Sequence, residues 1–132
     1  MQCTIYALGE KKWRTSLDRV LVLARRGEKL ILHRDELNAR WELPEKQLVR
    51  GESKEETARA ALGEALGEAV FDVSLLCVYT ITGEDGKESG GYCCMADVRE
   101  WQDEEASKSR AFERLPLASQ IKNPALVFAL HK

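Results

Sequence analysis

One segment constrains this chain more than any other: a strongly signalled helix standing between two sets of β-branched runs. Ser53 to Leu66 carries it. Ser53 is a good N-cap, and Glu56, three residues on, can close a capping box. Ala58, Ala61, Leu62, Ala65 and Leu66 recur at helical spacing and leave one apolar stripe. Gly67 follows where a helix C-terminal glycine belongs, while Gly63 costs some helix stability. A helix with one apolar stripe must bury it against another layer, and the flanking runs supply that layer.

Before the helix, Met1 to Leu8 suits a first strand. Asp18 to Ala24 (D-R-V-L-V-L-A) and Glu28 to His33 (E-K-L-I-L-H) predict a hairpin around Arg26-Gly27. Arg34 to Arg40 is polar and predicts a loop. Trp41 to Pro44 predicts a short extended piece, because Pro44 biases Leu43 away from helix. After the helix, Val70 to Thr82 and Gly91 to Val98 are joined by G-E-D-G-K-E-S-G, the chemistry of a long hairpin. Trp101 to Arg110 predicts a loop and Ala111 to Leu115 a last strand ended by Pro116. Asn123-Pro124 opens an apolar helical run to His131. The expectation is an α/β (α+β) fold: a mixed sheet with helices packed on it, as a single domain over residues 1–132.

Composition excludes several function classes. Acids number 22 and bases 20, so binding of nucleic acid through bulk positive charge is not expected. The apolar runs Val20 to Ala24 and Ala125 to Leu130 fall far short of the ~20 residues of a membrane span. Met1 to Leu8 is too short and polar for a secretory signal, so a cytoplasmic location is expected. Cys3, Cys77, Cys93 and Cys94 show no C-x-x-C spacing and read as buried free thiols, with Cys93 and Cys94 on opposite faces of a strand. The apolar stretch Ala125 to Leu130 suits a core or an interface alike, so the oligomeric state stays open.

The stretch Trp41 to Gly67 carries the functional signal. Trp41, Leu43 and Pro44 form an aromatic-x-apolar-Pro lead-in. Gly51-Glu52-Ser53 stands in the middle, and Leu62, Glu64 and Gly67 follow at fixed spacing on the helix. This pattern resembles the motif of the Nudix hydrolase family: a glycine, five residues, a glutamate, seven residues, then Arg-Glu-apolar-x-Glu-Glu-x-Gly. The resemblance implies an α/β/α sandwich. It also implies hydrolysis of a pyrophosphate bond in a nucleotide or nucleotide-linked small molecule, as in MutT-like members, helped by magnesium or manganese. Such hard ions want oxygen ligands, and residues three and four apart share a helix face, so positions 61, 64 and 65 would converge on the metal.

The sequence departs from the motif where the chemistry is concentrated. The first glycine falls on Lys46 and the one before it on Glu45. The arginine falls on Ala60, and the glutamates flanking position 64 fall on Ala61 and Ala65. Glu64 remains as catalytic and metal-ligand candidate, with Glu52 as a second metal candidate. A lost general base alone costs ~100- to 10,000-fold in rate. The expected reading is therefore a Nudix-type nucleotide-binding domain with weak or lost hydrolysis. The alternative is an active hydrolase using Glu64 with acids outside the motif, such as Glu104 or Glu105. The cofactor is magnesium or manganese if hydrolysis is retained, and none if it is lost. On the substrate side, the resemblance points to Arg34, as a phosphate-facing arginine, and to Asn123, as a base-reading residue; a solvated loop arginine and a plain helix N-cap are their bland counterparts.

Overall fold

The computed structural model describes residues 2–37 and 39–131. The strands are β1 (Gln2–Tyr6), β2 (Leu17–Arg26), β3 (Lys29–Asp35), β4 (Arg40–Glu42), β5 (Glu45–Gln47), β6 (Ala69–Thr82), β7 (Glu88–Trp101) and β8 (Ser109–Phe112). Helix α1 is Lys54–Leu66 and helix α2 is Pro124–Leu130, preceded by a 3-10 turn at Ala118–Gln120. The strands run in the order β1-β6-β7-β2-β3-β4, with β5 also on β2 and β8 also on β3.

Strand β2 is the axis of the sheet. Its apolar run is buried on both faces, as a central strand requires. Val20, Val22 and Ala24 join the core under α1, with Ala58, Ala61, Leu62, Ala65 and Leu66. Leu21 and Leu23 join the opposite core under α2, with Leu126, Val127 and Leu130. The result is the expected α/β/α layering. β2 runs parallel to β7 from Leu17 to Arg25, and antiparallel to β5 near Val20 and to β3 near Arg26. The parallel pairing is close: a Cβ at Gly91 would stand 2.4 Å from the Arg19 carbonyl oxygen, so that position needs glycine.

Helix α1 begins as its sequence predicts. Ser53 is extended, and its Oγ accepts from the Glu56 N–H at 3.1 Å. The helix ends at Gly67 (φ 73°), whose N–H reaches the Gly63 carbonyl at 3.0 Å. A side chain there would also strike Asp103, since an added Cβ lies 2.6 Å from its Oδ2.

Several boundaries differ from expectation. β3 runs into the expected loop as far as Asp35; Asn38, also in that loop, lies outside the described residues. The expected strand at Ala111 to Leu115 starts instead at Ser109, because β8 pairs Leu30 with Phe112 and His33 with Ser109. Trp101 belongs to β7 and is buried rather than looped. Cys93 and Cys94 do face opposite cores, and all four cysteines are free thiols, but Cys3, on the edge strand β1, is only half-buried. Among the described residues no helix is long and apolar enough to cross a membrane.

Candidate functional site

A cleft of about 730 Å³ opens beside the C-terminal half of α1. Its walls are the end of β3 (His33, Arg34), Glu42 of β4, the helix end from Glu64 to Gly67, and the loop residues Asp103 and Ala106 to Lys108. A smaller hollow of about 180 Å³ adjoins it, bounded by His33, Glu42, Pro44, Glu45, Ala61, Glu64 and Ala65. Positions 61, 64 and 65 therefore do share one helix face, as their spacing requires. Ala61 and Ala65 are buried in the core that α1 covers, at 3% and 6% exposure, and Glu64 turns outward.

Glu64 does not stand alone. The Lys46 Nζ lies 2.5 Å from its Oε1. Lys46 sits on β5 opposite Val20, on the side of the sheet that α1 covers, so its side chain reaches across to the helix. The neighbouring carboxylates are matched in the same way. Glu42 pairs with Lys122 at 3.4 Å, Glu45 with Arg19 at 3.2 Å, and Glu36 with Lys108.

This donor set does not fit a divalent ion. Among the described residues no three of His, Cys, Asp and Glu come together in a way that could hold one. A hard cation wants six or more oxygen ligands. Position 64 offers one carboxylate, already held by an ammonium, and its two helical neighbours offer methyl groups.

Histidine 33 has a defined role in the wall. The Ser109 hydroxyl has one hydrogen, and it goes to the Ala65 carbonyl at 2.8 Å. The 3.1 Å contact between His33 Nδ1 and Ser109 Oγ must then have the ring nitrogen as donor. A neutral His33 is thus fixed with Nδ1 protonated and Nε2 bare. The same hydroxyl caps the end of α1. The indole Nε1 of Trp101 does likewise, donating to the Leu66 carbonyl at 2.9 Å.

The sequence candidates are dispersed. Glu64 and Arg34 line one cleft; Arg34 lies over the Trp41 ring at 5.7 Å, with Arg110 at 5.9 Å from the same ring. Glu52 borders neither hollow. Its Oε1 accepts from the fully buried Thr57 hydroxyl at 2.8 Å. Asn123 lies on the α2 side of the sheet, in a separate hollow of about 210 Å³ with Arg19, Glu45 and Tyr79. It takes the N-cap position of α2 in a left-handed conformation, but its side chain makes no capping bond. Glu104 pairs with Arg26, whereas Asp103 borders the cleft, its Oδ2 accepting from the Glu68 N–H at 2.6 Å. Tyr79 and Trp101 are buried, and burial, with Glu45 next, pushes the Tyr79 phenol up. Sequence reasoning missed His33, Lys46, Asp103 and Ser109. Lys46 alone left a trace, as a lysine at a motif glycine.

No family model matches the sequence, and no curated protein matches it. Solved structures do resemble its fold. A mutant of the pyrophosphohydrolase BsRppH from Bacillus subtilis has a TM-score of 0.71 at 22% identity, over 97% of this chain and 87% of that one. A Nudix hydrolase from Nitrosomonas europaea has a TM-score of 0.69 at 15% identity, over 87% and 86%. A UDP-X diphosphatase has a TM-score of 0.62 at 20% identity, over 92% and 67%. The chain has the Nudix hydrolase fold.

Proposed function

We propose that this Nudix-fold chain binds a nucleotide or nucleotide-linked phosphate compound in the cleft beside α1 and hydrolyses it weakly or not at all. The observation that carries this reading is the helix face itself: alanine at 61 and 65, with Glu64 tied to Lys46. The similar solved structures named as a pyrophosphohydrolase and a diphosphatase support a phosphate ligand. Arg34 at the rim offers a planar, charged donor fork suited to phosphate oxygens. Water attack on phosphorus needs charge neutralised on those oxygens and a group to accept the proton. The bare Nε2 of His33 can accept a proton, but the helix supplies one carboxylate where the motif has three.

Thermal shift with a nucleotide panel tests binding, because a ligand of the folded state raises the melting temperature by mass action. Phosphate release, followed in parallel, tests turnover. The expected result is a ligand-dependent shift with release no faster than in Glu64→Ala. Release far above that variant would overturn the reading. It would favour hydrolysis by Glu64 with an acid outside the motif. Asp103, bordering the same cleft, is the observation that favours this second reading, and loss of release in both Glu64→Ala and Asp103→Asn would decide for it.

A further inference from the structure

We infer that the cleft takes its phosphate ligand without a divalent ion, the Lys46 ammonium serving as its resident cation. This rests on the cleft being a phosphate site, and adds how the charge is met.

The first ground is position. Lys46 replaces the glycine that opens the motif, and its Nζ stands 2.5 Å from the one carboxylate left on the helix face. The second is charge. Around the two hollows Glu36, Glu42, Glu45 and Glu64 each face a basic group of this chain, Lys108, Lys122, Arg19 and Lys46, while Asp103 faces the Glu68 N–H instead. An acidic cleft would repel a phosphate until divalent ions neutralised it. This one is largely neutralised from within, with the Arg34 guanidinium also in its wall, so a polyphosphate can approach without them. The third is how lightly Lys46 is held. Glu64 is 65% exposed and Lys46 32%, and an ion pair so open to water holds its ammonium only weakly. An ammonium has three N–H donors, so one contact to Glu64 leaves two for phosphate oxygens. The same exposure does not invite a metal. A lone carboxylate on the helix face would leave the ion's remaining positions to water.

Inorganic pyrophosphate and ADP are the probes, titrated calorimetrically into the whole chain with EDTA and again with magnesium. Manganese alone is titrated with free Mn²⁺ read by electron paramagnetic resonance. Equal affinity within about twofold in EDTA and magnesium is expected, and no saturable manganese site. Lys46→Ala should weaken binding in EDTA by about tenfold, the loss of one charge-assisted contact. Lys46→Arg, which keeps the charge, should stay within about threefold. A thermal melt of each variant separates lost binding from lost folding, and the wild-type EDTA and manganese results stand without either variant. Binding that needs magnesium, a stoichiometric manganese site on the wild type, or an unchanged affinity in folded Lys46→Ala would each overturn the inference and leave the phosphate reading standing. No binding of either probe in both conditions would overturn both.

Discussion

Replacing Ser109 by alanine tests how the cleft wall is tied to its helix. Ser109 is 1% exposed; its hydroxyl donates to the Ala65 carbonyl and accepts from His33 Nδ1. Ser109→Ala removes both contacts and little volume. The Ala65 carbonyl then lies buried at a helix end without a partner, which costs about 1–3 kcal/mol. The freed ring N–H borders an open cleft where water can replace the hydroxyl, so it adds little. An unfolding entropy of about 2.1 cal/mol/K per residue over 132 residues gives about 0.28 kcal/mol/K. The melting temperature should therefore fall by about 4–11 °C. Calorimetric melts of wild type and Ser109→Ala measure this. Nitrogen-15 shifts of the His33 ring give a second readout, since the variant no longer favours the Nδ1-protonated form. A drop under about 2 °C with an unchanged tautomer would refute the reasoning, because it would mean that another group holds both atoms.

Placing carboxylates at the two alanines, Ala61→Glu with Ala65→Glu, should cost about 3 kcal/mol or more in EDTA, since both sites are buried beside Glu64; added manganese should recover part of that melting temperature, and an unchanged melt in EDTA would contradict their burial. Thr57→Val keeps the shape but removes the hydrogen shared between Glu52 Oε1 and the Ser53 carbonyl; urea unfolding should show a loss of about 1 kcal/mol, and no loss would mean that water already competes there. Burial, with the Arg25 charge next, holds His131 below its usual 6.5. The unfolded chain therefore takes up its proton first, and this contribution, complete above about pH 6.5, is lost as the pH falls through the lower folded value. The effect is small for a half-exposed ring, and His131→Gln should flatten it in melts between pH 7 and 5. Burial and then Glu55 push the Cys94 thiol up to about 11, so alkylation at pH 8 should be slow until denaturant opens the core; rapid native labelling, read by mass, would contradict this.

What the sequence revealed follows from where information is local. The capping of α1 by Ser53 and Gly67 rests on neighbours in the chain, and it was legible. The apolar run Val20 to Ala24 was legible as a strand, whereas its burial on both faces came only with the structure. Ser109 and Arg110 read as loop because strand pairing with β3 is a long-range fact, and a buried serine is polar in any local window. The site divided the same way. The alanines at 61 and 65, on one helix face with Glu64, were legible at once. The Lys46 partner of Glu64 was not, because it lies 18 positions away on another element. His33 was invisible for a similar reason: its tautomer depends on a hydroxyl 76 positions on.

The parallel pairing of β2 with β7 has a consequence for how the chain acquires its shape. Residues 17–26 must find residues 88–101 before the central strand has its longest partner. Contacts so distant in sequence carry a large loop-closure cost before they return any stability, which slows folding. During synthesis, an apolar strand destined for burial on both faces would wait, unpaired along that edge, while some seventy further residues emerge, for about 4–14 s at typical elongation rates. The hairpin of β2 with β3 and the short strand β5 can cover part of it in the interval. Substitutions that weaken either should therefore reduce soluble yield more than they reduce the stability of the finished protein.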